Sequence, residues 1–159
     1  MDRKKDRASL NAAPLRPYNV LYHPNIMNEQ IHSTAEERNA AIRLTMMPRD
    51  TNAHGTVFGG IILSYIDVAG GVEAVRHTRH DRFVTVAMKE VIFHEPVFMG
   101  DLVSFYAETL KVGNTSITIH VVVEAERFGS QGQKVMVTEA EVIYVAINQF
   151  REKVLIGNK

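Results

Sequence analysis

Residues 115–127 alternate apolar and polar positions, with Ile117, Ile119, Val121, Val123 and Ala125 set against Ser116, Thr118, His120, Glu124 and Glu126. A two-residue period of this kind predicts a strand with one buried face. Ile42, Leu44 and Met46 alternate in the same way with Arg43, Thr45 and Met47. Residues 102–110 read as a third strand, and 134–148 as another with Met136, Ala140, Val142, Tyr144 and Ala146 on one face. Residues 83–94 are rich in valine, phenylalanine and isoleucine; their alternation slips near Lys89-Glu90, which predicts a bulge there. From residue 59 to about 77 the period changes to that of a helix, apolar on most of its circumference. Such a helix belongs in an interior, wrapped by other elements. Proline, glycine, asparagine and aspartate mark loops at 48–55, 96–101, 113–114 and 129–132.

One long helix and about five strands cannot make a parallel sheet, which needs a helix between each pair of parallel strands. The economical arrangement is an antiparallel sheet curled around the helix, an α+β domain spanning residues 31–150. Its edge strands would stay unpaired and invite a second protomer. Residues 1–30 carry three of the five prolines (Pro14, Pro17 and Pro24) and read as a partly mobile N-terminal extension. Ser33-Thr34-Ala35-Glu36 has capping-box spacing at the start of the domain. Residues 151–159 read as a C-terminal tail.

Composition narrows the function. At 159 residues the chain suits one core. Its 18 basic and 18 acidic residues cancel, which argues against a nucleic-acid partner, since that affinity comes mainly from neutralising phosphates. A local basic patch for a small phosphorylated ligand stays open. The absence of cysteine excludes a disulfide framework, a thiolate nucleophile and a sulfur-based zinc site, and fits a reducing compartment. No apolar run follows the basic residues 1–7, and Ser64, Asp67 and Glu73 interrupt the apolar stretch 57–75. A cytoplasmic protein without a membrane partner is expected.

On a helical wheel, Gly60, Ser64, Asp67 and Gly71 share one stripe of an otherwise apolar helix. A carboxylate there is costly unless paired, neutralised or used. Either Asp67 accepts bonds from a neighbouring loop and holds an interface together, or it is a base. Gly55, Gly59 and Gly60 lie before or within the first turn, where free N–H groups attract an anion or a developing oxyanion. Competing chemistries are thin. The chain has no GxSxG, GxxxxGK[ST] or GxGxxG, and Gly129-Ser130-Gln131-Gly132 lacks the strand-turn-helix context of a nucleophile elbow. Its seven histidines include no HExxH, and no metal site is expected. His77 and His80 would share a helix face without a third ligand, His120 belongs on the surface, and His54 is a candidate acid or base beside the glycines.

The run Met47-Pro48-Arg49-Asp50-Thr51-Asn52-Ala53-His54-Gly55-Thr56-Val57-Phe58-Gly59-Gly60, continuing through Ser64-Tyr65-Ile66-Asp67-Val68-Ala69-Gly70, resembles the hot-dog-fold acyl-CoA thioesterases. The likeness is to the small bacterial acyl-CoA thioester hydrolases related to the cytosolic long-chain enzymes of animals. Val84-Thr85-Val86, Phe93-His94-Glu95-Pro96-Val97, Gly100-Asp101, Val112-Gly113-Asn114-Thr115-Ser116 and Tyr144-Val145-Ala146 extend it over residues 38–148. The resemblance implies a curved antiparallel sheet around one helix and hydrolysis of fatty acyl-CoA to free acid and coenzyme A. It implies a homodimer whose site pairs Asn52 of one protomer with Asp67 of the other, and an assembly of three such dimers. Asp67 would be general base or nucleophile, Asn52 would orient water or carbonyl, and the N–H groups of Gly59 and Gly60 would polarise the thioester oxygen. Coenzyme A is then part of the substrate, and no cofactor is expected.

A thioester carbonyl is electrophilic and thiolate leaves readily, so one base and one oxyanion site suffice. By the same resemblance Asn114, Thr115 and Ser116 lie near the pantetheine and nucleotide end. Lys111, Arg127, Arg79 and Arg82 are the cations available for its phosphates. Many relatives carry arginine where Asn114 stands, and the animal enzymes carry histidine where Phe58 stands. Two other readings are open: a non-catalytic acyl-CoA sensor, and a hot-dog dehydratase or hydratase of acyl thioesters, for which His54 is the placed histidine.

Overall fold

The structure, a computed structural model, describes residues 38–78 and 80–157. The expected N-terminal extension, the capping-box residues 33–36 and Arg79 lie outside them. In chain order the elements are β1 (Ile42–Thr45), a 3-10 turn (Pro48–Asp50), α1 (Gly59–Thr78), β2 (Phe83–Lys89), β3 (Leu102–Val112), β4 (Ser116–Glu126) and β5 (Lys134–Ala146). All strand pairs are antiparallel, in the order β1-β3-β4-β5-β2. The expected α+β arrangement, a curled sheet packed on one helix, is what forms.

The central strand follows its pattern without exception: Ile117, Ile119, Val121, Val123 and Ala125 are all fully buried. They lie on the concave face with Val103 and Phe105 of β3 and Val142 and Tyr144 of β5. Ile62, Ile66, Ala69, Gly70, Glu73 and Ala74 are the buried stripe of α1. Their spacing of three, four and one puts them on one face. The helix is not wrapped all round, however. Val68, Val72 and Val75 are exposed on its outer side, as are Val84 and Val86 on the edge strand β2.

Two local expectations give way. The ladder of β2 ends at Lys89 because Glu90 takes a left-handed φ of 49°, and the register shift lies between Thr85 and Ala87 rather than at Lys89-Glu90. Beyond it the chain runs on outside any strand, with the His94 N–H donating to the Val137 carbonyl at 2.8 Å. In β5, Val123 pairs with Thr138 and Glu124 with Met136, which leaves Val137 as an extra residue. Val137 and Thr138 therefore both turn inward, and Met136 faces outward, not onto the Ala140–Tyr144 face. Residues 151–157 return against the domain: the Val154 N–H donates to the Ala146 carbonyl at 3.0 Å, that of Ile156 to Asn114 at 2.8 Å, and the Ile156 side chain is buried. Among the described residues no helix is long and apolar enough to cross a membrane.

Candidate active site

The loop before α1 is knotted by one asparagine. Asn52 Oδ1 accepts the His54 N–H at 2.8 Å and the Thr56 N–H at 3.4 Å, while its Nδ2 donates to Thr56 Oγ1 at 2.9 Å. Gly55, at φ 81°, makes the reversal that this knot requires. The Val57 N–H then donates to the Val97 carbonyl and that of Phe58 to Asp50, both at 2.8 Å, fixing where the helix begins. An open cleft of about 390 Å³ lies at this end, lined by Asn52, Thr56, Gly59, Phe93, His94 and Glu95 among others. The first N–H groups of α1 have no partner within the helix and sit at the positive end of its dipole. The Phe58 ring leans over Gly60, where a Cβ would come within 2.3 Å of it. His54 is exposed, and the histidine that lines the cleft is His94.

Asp67 lies two turns further on, about 12 Å of helix rise beyond Gly59. Its carboxylate accepts a hydrogen bond from the Thr85 hydroxyl. Thr85 faces Tyr144 across the β2–β5 pair, and the Tyr144 hydroxyl donates to the Asp67 backbone carbonyl at 2.7 Å. Gly70 makes that approach possible, since a Cβ there would stand 2.2 Å from the Tyr144 oxygen. The carboxylate is thus seated from β2 while its own peptide is tied to β5. Thr85 and Tyr144 were not singled out as site residues from the sequence. The available signal was Gly70-Gly71 in a buried helix, which marks where another group comes close.

Burial, followed by the neighbouring Asp67 carboxylate, pushes the Tyr144 phenol well above its usual range; the Gly71 N–H and the Thr85 hydroxyl only partly offset this. A phenol that ionises in the unfolded chain but not in the folded one makes no change below pH about 10, then costs stability as pH rises further. Denaturant melts between pH 9 and 11.5 should therefore show Tyr144→Phe losing less stability above pH 10 than the wild type. The gap should grow by up to about 1.4 kcal/mol per pH unit.

Within one chain, Asn52 and Asp67 occupy different places, the first in the cleft and the second at Thr85 and Tyr144. Gly59 lines the cleft with Asn52. Asn114 and Thr115 lie in the β3–β4 turn and Ser116 opens β4, with the Gly113 N–H donating to the Ser116 carbonyl at 2.7 Å. The Thr115 carbonyl accepts the Ala146 N–H at 2.9 Å, Asn114 and Lys111 are exposed, and none of the four lines the cleft. Arg82 is exposed as well. His80 lies past the end of α1, bonded to the Ile147 carbonyl at 3.2 Å and edge-on to Phe83, so it shares no helix face with His77. His120, on the outer face, bridges Glu108 and Glu139. Among the described residues no cluster of three or more histidine, aspartate or glutamate side chains is placed to hold a metal ion.

Arg127 is not a free cation for phosphate. Its guanidinium donates to Asp101 Oδ2 and to the Pro96 carbonyl, each at 2.7 Å, and lies 3.5 Å from Glu95. Asp101, almost wholly buried, also accepts the N–H groups of Phe98 at 3.0 Å and Phe128 at 3.1 Å.

Comparison with known proteins agrees with this architecture. The family model of the thioesterase superfamily matches residues 54–130. The acyl-CoA thioester hydrolase YciA of Salmonella typhimurium is 41% identical over 109 residues, covering 67% of this chain and 81% of its own. A hexameric hotdog-fold thioesterase of Campylobacter jejuni, Cj0915, superposes with a TM-score of 0.69 at 43% identity, covering 74% of this chain and 90% of its own. HI0827, a hexameric broad-specificity acyl-coenzyme A thioesterase, gives 0.71 at 37% identity, with 76% and 82% covered.

Proposed function

The chain belongs to the thioesterase superfamily, and on that premise we propose that it hydrolyses fatty acyl-CoA to the free acid and coenzyme A. The observation that carries this reading is the seating of Asp67. A carboxylate held by Thr85 lies on a helix whose outer valines and adjoining edge strand are uncovered in the single chain. A second copy on that face would desolvate the carboxylate and bring its own Asn52 to it. The hexameric relatives support self-association, which this reading takes as a dimer and then three dimers.

In this reading, water held between Asp67 of one protomer and Asn52 of the other attacks the thioester carbon, and Asp67 takes its proton. The carbonyl oxygen, now negative, is held by the N–H groups of Gly59 and Gly60. Collapse of the adduct breaks the C–S bond, and the coenzyme A thiolate leaves and recovers the proton. Should Asp67 attack directly, the acyl group passes through an anhydride that water then opens. Asn114, Thr115 and Ser116, with Lys111 and Arg82, would receive the coenzyme A handle. Residues 31–150 would be the catalytic domain, and the cysteine-free composition supports a cytoplasmic setting.

Release of free thiol from a series of acyl-CoAs, short to long, tests the reading and reports the chain-length preference. Thiol release by the wild-type protein is expected. Binding without release would make the chain a sensor. A second reading, addition of water to an enoyl thioester, draws on His94 and Glu95 in the cleft. It would show as loss of enoyl absorbance with no thiol formed.

A further inference from the structure

Arg127 stands at the end of a connected series of bonds that leads to the cleft. It holds the Pro96 carbonyl directly and the Phe98 N–H through Asp101, so the residues on either side of Val97 are both clamped. Val97 is buried, and its carbonyl receives the Val57 N–H one residue before Phe58 and two before Gly59. Thr56 forms a bridge to Phe98, and Thr56 is also the residue to which the Asn52 side chain is tied on both its oxygen and its nitrogen. One guanidinium therefore underlies both the start of α1 and the asparagine opposite it. Both bonds leave from Nη1, whose two N–H groups lie in the guanidinium plane and so point at the carbonyl and the carboxylate in fixed directions, whereas a lysine ammonium on its flexible stem turns freely.

We propose that Arg127 is a positioning residue for the cleft: by clamping residues 96–98 it sets where the Gly59 N–H and the Asn52 side chain stand relative to a bound thioester. The proposal deepens the thioesterase reading and rests on it for its kinetic consequence. Arg127→Gln should lower kcat for acyl-CoA hydrolysis by about tenfold or more with KM changed little, because misplacement of the oxyanion donors is felt in the transition state. Amide hydrogen exchange reads the same effect without activity. Exchange at the Val57 and Phe58 amides, which are bonded to the Val97 and Asp50 carbonyls, should speed by at least about tenfold in the variant, while the centres of β4 and β5 keep the wild-type rate.

Unchanged exchange at the Val57 and Phe58 amides overturns the proposal, whatever the kinetics. So does exchange that speeds equally throughout β4 and β5, which would make Arg127 a general support of the fold. If Arg127→Gln fails to fold, Arg127→Lys carries the test, since it keeps a charge opposite Asp101 and loses the fixed plane that aims the two Nη1 N–H groups. If the wild type releases no thiol, the thioesterase reading fails, and the exchange data still decide whether Arg127 positions the cleft.

Discussion

Asp67→Asn is expected to lower acyl-CoA turnover by at least about two orders of magnitude, roughly 2.7 kcal/mol of barrier. The substitution is a narrow one. Asparagine keeps the size of aspartate, and its Oδ1 still accepts the Thr85 hydroxyl, while the Tyr144 bond goes to the backbone carbonyl and is untouched. Melting temperature and acyl-CoA affinity should then stay close to wild type. The loss in kcat reports the missing charge and base. Equal turnover by variant and wild type would remove Asp67 from the mechanism. Mixing the Asp67→Asn chain with an Asn52→Ala chain tests the sharing of sites. In a two-fold dimer, one of the two mixed sites carries neither change, so random reassortment should restore about a quarter of wild-type activity. No recovery would place both residues in a site made by one chain.

Gly70→Ala is expected to produce a large loss of stability, about 2–3 kcal/mol. Alanine in a helix normally gains about 1 kcal/mol over glycine. Here the added methyl would stand 2.2 Å from the Tyr144 oxygen and 2.9 Å from two of its ring carbons. The tyrosine must move, which strains the core and breaks the bond to Asp67. A fall in Tm of roughly 5–10 °C should follow. In a double-mutant cycle, Tyr144→Phe removes the oxygen and leaves the ring, so it should recover part of the loss and no more. An unchanged Tm for Gly70→Ala would show that Tyr144 does not pack against the Gly70 backbone.

What the sequence made legible depends on how far each feature reaches. The alternation of β4 is a local signal, and the central strand obeys it because the sheet hydrogen-bonds it on both sides and the helix covers its inner face. Met136 misleads because a single extra residue at Val137 reverses the parity of everything before it. The helix was legible as apolar, yet its sequence does not say that only one side meets its own sheet. Asp67 stood out as a charge among apolar neighbours. Thr85 and Tyr144 did not, because their meeting depends on the register between β2 and β5. Arg127 had the look of a surface cation, and only its burial against Asp101 separates it from Lys111.

The strand order has a kinetic consequence. Strands β3, β4 and β5 follow one another through short turns and pair in sequence, so their loops close cheaply. Strand β2, although it precedes all three, must wait for the last of them before it has a partner. The Thr85–Tyr144 pair, and with it the seat of the Asp67 carboxylate, is therefore completed by one of the two long-range pairings of the sheet, the other being β1 with β3. A chain arrested late in folding would hold most of its core without the Asp67 carboxylate in place, so on the proposed mechanism recovery of structure should run ahead of recovery of activity.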